Sequence, residues 1–234
     1  MRRLWVILVR FGFRLLYYEL AWTYDRVSWL VSLGQWSRWQ QAALPFVKGP
    51  TILELGHGPG HLLAALQANG RTVFGVDLSP NMGRLARRRL LKKQLPAFLI
   101  RAKVQDLPLP TAVFHTVLST FPTDYIVDPA TLASVYRVLA PNGRLVVIPE
   151  GHLTGSSGVH RFIDWLFRIT GERSGVFQAD DPLRPNHARW EPFRQQFLAA
   201  GFTLFIEKKM LEQSEVTIFI AEKTVSLSPK TASS

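Results

Sequence analysis

Between Thr51 and Ile148, short apolar runs rich in β-branched residues alternate with longer helix-forming runs, with glycine, proline, asparagine or aspartate at most junctions. No other feature of the chain narrows its fold as much. A strand that runs parallel to its predecessor needs a long crossover, usually a helix, so this rhythm predicts an α/β, doubly wound parallel sheet with helices on both faces. The spacing places strands at Thr51–Leu55, Thr72–Val76, Ala97–Arg101, Thr116–Ser119 and Arg144–Ile148. Helices fall at His61–Ala68, from an N-cap at Ser79 to Gln94, and at Pro129–Leu139, where Pro141-Asn142-Gly143 stops the last of them. Asn69-Gly70 tolerates the left-handed conformation that ends the first. A later helix, Glu191–Ala200, precedes two strands, Phe202–Glu207 and Val216–Glu222, close enough in sequence to pair antiparallel.

The junction after the first strand reads LELGHGPGH, residues 53–61, with Glu54 two residues before Gly56 and glycines again at Gly58 and Gly60. Ligands of open α/β sheets bind beyond the carboxyl ends of the strands, and glycine lets backbone approach them closely and take positive φ. A binding loop is therefore expected. It is not a P-loop, because His61 and Leu62, not Lys-Ser/Thr, follow Gly60. A G-x-G-x-x-G dinucleotide fingerprint would need glycine where His61 stands. Asp77 ends the second strand and can accept from both hydroxyls of a ribose, while repelling a 2′-phosphate. Asp106, in AKVQDLPLP after the third strand, offers an acceptor suited to an adenine amino group. Each aspartate alone would also serve as a helix cap or turn residue. Together, at the ends of the first three strands, the acids point to an adenosine.

LELGHGPGH, GVDLSP, VQDLPLP and RVLAPNGRLVVI resemble the successive motifs of class I S-adenosylmethionine-dependent methyltransferases, nearest to the broad methyltransferase type 11 group that includes the ubiquinone and menaquinone biosynthesis enzymes. The resemblance covers residues 50–150 and extends to the two closing strands. It implies a Rossmann-like sheet of seven strands, mostly parallel, ending in an antiparallel hairpin. It also implies S-adenosyl-L-methionine as cofactor and enzymatic methyl transfer. By position, Glu54 would face the methionine amino group, Gly56, Gly58 and Gly60 would give room to the methionine and ribose, and Asp77 would bind the ribose hydroxyls. Leu78 and Met82 would flank the adenine, with Asp106 accepting from its amine beside Leu107. Ser119 to Phe121 would line the sulfonium side, and Tyr24 would supply an aromatic lid. STFPTDY departs from the commoner sequences after strand four.

Methyl transfer from a sulfonium is an in-line displacement in which the protein mainly positions the acceptor; a base is needed only where the acceptor loses its proton early. Candidates at the strand ends are Asp124, Tyr125, Glu150 and His152, each of which could instead pair with one of the many arginines. His57 and His61 read as loop residues. No spacing suggests a metal site.

The chain has 234 residues, a net charge of +11 and no cysteine. The last point removes disulfides, thiolate ligands and a covalent thiol route to C5 of pyrimidines. The charge attracts polyanions. Residues 84–103 hold eight of the cations and no acid; this is either a solvated face or a binding patch. Residues 1–18 are too interrupted by Arg10 and Arg14 to span a bilayer. As a helix they place Arg3, Arg10 and Arg14 on one stripe among Trp5, Leu8, Phe11 and Leu15, a pattern suited to an anionic membrane interface or to packing on the chain's own domain. Trp22, Trp29 and Trp36 recur at sevens and would share one helix face.

The expected organisation is a helical leader over 1–47, a methyltransferase domain over 48–223 with a cap insertion at 151–189, and a disordered tail over 224–234. The cap joins Phe162, Trp165 and Phe167 to Arg161, Arg168 and Arg173, which suits a small hydrophobic or lipid-like acceptor with a polar head. The expected location is cytoplasmic, peripheral on the inner face of the membrane. Two rival readings stand beside this one: an RNA or protein methyltransferase gripping its substrate through 84–103, and a binding protein that keeps the cofactor without turnover.

Overall fold

The computed structural model describes residues 32–154 and 186–224. The expectations for residues 1–31, for most of the 151–189 insertion and for residues 225–234 lie outside them. Strands β1 (Thr51–Leu55), β2 (Thr72–Asp77), β3 (Phe98–Arg101), β4 (Phe114–Thr120), β5 (Leu139–Leu153), β6 (Phe202–Leu211) and β7 (Ser214–Lys223) form one sheet in the order β3-β2-β1-β4-β5-β7-β6. The first five run parallel; β7 is antiparallel to β5, and β6 to β7. The helices are α1 (Trp36–Gln41), α2 (His61–Ala68), α3 (Pro80–Lys92), α4 (Pro129–Val138) and α5 (Asn186–Ala199). The seven-stranded α/β fold is the one expected.

Alternation along the strands sends residues to two separate cores. On one face Leu53, Leu55, Val117, Val147 and Phe219 pack with α4 and with Trp190, Phe193 and Phe197 of α5. On the other, Ile52, Leu118, Val146 and Ile148 meet Leu62, Leu63 and Leu66 of α2 and Leu90 of α3. Met82, Ala86 and Leu90 are buried at four-residue spacing, so α3 presents one apolar stripe to the sheet and its charges to water.

Three differences from the sequence reading have local causes. Strand β5 is far longer than Arg144–Ile148. It opens with Leu139 opposite Phe114, bulges through Asn142 at φ +60°, and regains register at Arg144 opposite Thr116. Beyond a second irregularity it continues as Glu150–Leu153 against β7. Helix α5 begins at Asn186 and carries Pro192 inside it. Pro192 reads as a first-turn proline, but Trp190, five residues into the helix, stands edge-on to Phe219 at 5.0 Å, and such core packing outweighs a local breaker. Finally, Leu33 and Gly34 have φ of +49° and +80°. No continuous helix passes through them to α1, so Trp36 does not extend a helical face upstream.

Candidate functional site

Strand order reverses between β1 and β4, because β1 connects outward to β2 while β4 lies on its other side. The loops leaving these two strands diverge and open a crevice at the carboxyl end. The glycine stretch leaves β1 there, and residues 121–128 leave β4.

All three glycines of the stretch have positive φ: +65° at Gly56, +51° at Gly58 and +79° at Gly60. Other residues adopt this region only with strain. Their surroundings differ. A Cβ on Gly60 would stand 2.8 Å from that of Ala86, so this glycine lets the loop close on α3. One on Gly56 would come within 2.8 Å of the Tyr125 hydroxyl oxygen. One on Gly58 would meet nothing within 4 Å: the middle glycine borders open space.

Two carboxylates organise the loop. Asp77 Oδ2 accepts from the Gly58 amide at 2.9 Å and Oδ1 from the Ser79 amide at 2.8 Å. Asp77 thus clamps the glycine loop to the start of α3, and each oxygen keeps a further acceptor site. Ser79 Oγ caps α3 by accepting from the Met82 amide. Glu54 lies in β1 at 1 % exposure. Its carboxyl group accepts from the Leu63 amide of α2, yet Oε2 has no partner among the described residues. Burial above all, and then the Asp77 charge, push its pKa well above the ordinary carboxylate value. An unanswered buried carboxylate oxygen costs about 1–3 kcal/mol, more when charged, unless a donor meets it.

His57 is buried under the loop. Its Nδ1 lies 2.7 Å from the Gly58 carbonyl oxygen and donates to it. Its ring covers Gly75, where a Cβ would strike His57 Cδ2 at 2.8 Å. Burial lowers its pKa, against the opposing pull of Asp77. His57 therefore shapes the loop from beneath. Glycine at position 75, in the middle of a strand, was the sequence signal for it.

The remaining sites separate. Ser119 is fully buried, donates to the Leu55 carbonyl oxygen at 3.2 Å and lies 3.0 Å from the Tyr125 hydroxyl, which therefore donates to it. Ser119 and Tyr125 thus join the ends of β1 and β4 beside Gly56. Phe121, at φ +52°, instead packs with the opposite core and stacks on Trp36 at 4.2 Å. Trp39 closes the same corner: its Nε1 donates to Ser214 Oγ, and its ring covers Gly151. Gly151 between two polar residues was the signal for that contact, and it was missed. Leu78 is 48 % exposed at the rim, whereas Met82 is buried in α3. Asp106 is exposed at the end of the β3 loop, while Leu107 is core, its amide donating to Ser134 Oγ and its carbonyl accepting from Arg137. Asp124 is exposed on the β4 loop. Glu150 and His152 pair on the extension of β5, Nε2 to Oε1 at 3.3 Å, and Thr217 donates to the same Oε1 at 3.2 Å. Among the described residues no group of three or more acids and histidines is disposed to hold a metal ion.

A family model described as a methyltransferase domain matches residues 52–143, the segment that builds this crevice. A demethylmenaquinone methyltransferase of Thermus thermophilus is 38% identical over 136 residues, covering 56% of this chain and 62% of that protein. The chain thus spans about three fifths of that relative's length. A 2-phytyl-1,4-naphtoquinone methyltransferase of Trichormus variabilis is 26% identical over 206 residues, covering 81% of this chain and 90% of the relative. Among solved structures, a geranyl diphosphate C-methyltransferase from Streptomyces coelicolor, in complex with Mg2+, geranyl diphosphate and S-adenosyl-L-homocysteine, superposes with a TM-score of 0.59 at 13% identity. It covers 80% of this chain and 79% of its own, a likeness of fold. With this sheet order, this glycine loop and these relatives, the chain is similar to the class I S-adenosylmethionine-dependent methyltransferases, most directly over the matched residues 52–143.

Proposed function

We propose that the protein transfers a methyl group from S-adenosyl-L-methionine to a small hydrophobic, lipid-like acceptor of the quinone class. The observation that carries the cofactor half is the unpartnered, buried Oε2 of Glu54 in the strand that feeds the glycine loop, whose middle glycine, Gly58, borders open space. A cationic amine is the donor such an oxygen lacks. The acceptor half rests on the relatives, which act on demethylmenaquinone and on a phytyl naphthoquinone.

In this proposal Glu54 takes the ammonium of the methionine moiety, and the ammonium's charge reverses the penalty that burial imposes on the carboxylate. Gly56, Gly58 and Gly60 present backbone without side chains. Asp77, already fixed by two amides, offers its remaining acceptor sites to the ribose hydroxyls. Asp106 meets the adenine amine, and Leu78 lies against the ring. Met82 and Leu107 support this wall from the core. The cofactor supplies a methyl carbon already activated by its sulfonium. The protein aligns the acceptor and keeps water out, and Ser119 and Tyr125 fix the loop edge where the acceptor arrives.

The test supplies methyl-labelled cofactor to the purified protein with membranes and lysate of the expression host, then partitions products between organic solvent and water. Protein-dependent label in the organic phase is expected. Label in RNA or protein instead would overturn the acceptor assignment; no label anywhere despite measured cofactor binding would point to an acceptor absent from the host or to a binding protein without turnover.

A further inference from the structure

The two edges of the sheet differ in charge. On the β6 edge both signs mix: Glu207, Lys208, Lys209, Glu212 and Glu215, with Lys208 paired to Glu215 at 3.4 Å. The β3 edge carries one sign. From Leu78 to Gln105 the sequence holds no acid. Arg84, Arg87, Arg88, Lys92, Lys93, Arg101 and Lys103 are exposed there, and none forms an ion pair among the described residues. On α3, positions 84, 87, 88, 91 and 92 recur at helical spacing opposite the buried Met82, Ala86 and Leu90. The outward stripe is therefore Arg84, Arg87, Arg88, Leu91 and Lys92. Like charges three and four residues apart on one helix repel, and no acid among the described residues pairs with them.

Apolar surface interleaves with this charge. Leu91 is 57 % exposed within the stripe, and Phe98 is 43 % exposed on the edge strand. Helix α3 starts at the crevice, directly after Asp77, and runs about 20 Å along the sheet edge. Arg101, whose Nε donates to the Leu78 carbonyl oxygen, brings the basic surface back to the crevice rim.

We propose that the α3–β3 edge docks on an anionic lipid surface, with the cations against the headgroups and Leu91 seated among the acyl chains. A convex helix with an aliphatic side chain inside a basic stripe suits a bilayer interface, where buried apolar area and charge attraction add. Single-stranded nucleic acid is typically gripped in a basic groove with several aromatic platforms; the helix stripe is convex and carries no aromatic, and Phe98 on the edge strand already stacks on Phe74 at 5.0 Å. Docking here turns the crevice rim toward the phase in which a lipid-like acceptor dissolves. That consequence rests on the function proposed above, but the docking itself does not.

The test is flotation of the full chain, without cofactor or acceptor, on vesicles of phosphatidylcholine alone and with about one third phosphatidylglycerol. Binding to the anionic vesicles only, weakened by 0.5 M salt, is expected. Charge reversal in the Arg87→Glu/Arg88→Glu double variant should lower the partition constant at least about tenfold. Leu91→Ser should lower it a few-fold while leaving affinity for a twenty-nucleotide uridine RNA unchanged. Both substitutions lie on exposed positions, and unchanged S-adenosylhomocysteine affinity certifies their folding. Binding of anionic vesicles that survives the double reversal would move docking to another surface and overturn the proposal. So would RNA binding with no vesicle binding. Either result leaves the methyl-transfer test standing, because that assay reads product and not docking.

Discussion

The two ends of the sheet use similar residue types for opposite ends. At the amino end opposite charges pair, although the buried Arg144 Nε meets no acceptor among the described residues. Glu222 takes Lys48 at 3.2 Å and the Arg144 guanidinium, and Thr116 exchanges two hydrogen bonds with the Lys48 backbone at 2.8 and 2.7 Å. At the carboxyl end Glu54 is more deeply buried than Glu222, yet one oxygen is left without a donor. The first arrangement holds strands together. The second leaves a buried carboxylate oxygen unanswered among the described residues, a cost that the cationic ligand proposed above would relieve. The pKa directions show the same contrast: burial raises Glu54, whereas hydrogen bonds, that from Lys48 first, lower Glu222.

The sharpest way to break this contrast is Asp77→Ala. It removes both backbone clamps and the proposed ribose ligand, so S-adenosylhomocysteine affinity in calorimetry should fall about tenfold to a hundredfold, or 1.4–2.8 kcal/mol. Unchanged affinity would remove the ribose role from Asp77.

Glu54→Gln comes next and should split stability from binding. The folded pKa of Glu54 is raised, so the stability tied to its protonated form is complete below the unfolded value near 4.5 and is lost as pH rises through the folded value. A neutral amide escapes that loss. At pH 7 the ligand-free variant should melt about 2–4 °C above the parent, while its cofactor affinity drops about tenfold. A variant that is less stable and binds normally would make Glu54 an ordinary structural acid.

Glu222→Gln should have the smallest effect and the opposite character. The folded pKa is lowered, so its contribution is present above the unfolded value near 4.5 and disappears as pH falls through the folded value. Because the side chain is 42% exposed, solvent screening limits the loss to about 1 kcal/mol or less at pH 7. The difference in melting temperature should vanish in acid, and cofactor affinity should stay within twofold.

The alternation of strands and helices, the cap at Ser79 and the glycine loop at 56–60 were all local, and they were legible because each depends on a few neighbouring residues. The crossover of strand order was legible only through resemblance. What the linear pattern could not reveal involved partners distant in sequence. Phe121 packs against Trp36 and Trp39, more than eighty residues away, and no local pattern announces that contact. The bulge at Asn142 follows from pairing with β4, and Pro192 lies inside a helix because Trp190 and Phe193 pack on Phe219.

By itself, then, the sequence determined the fold class, the place of the crevice and the acids that border it, because period, glycine and charge act over a few residues. Only the tertiary structure decided which of those acids is left unanswered. Asp77 and Glu54 are both carboxylates at neighbouring strand ends, but two amides meet both oxygens of one, while the other has an oxygen with no partner among the described residues. A hydrogen-bond deficit is a property of a packed interior and exists only once the chain has closed around it.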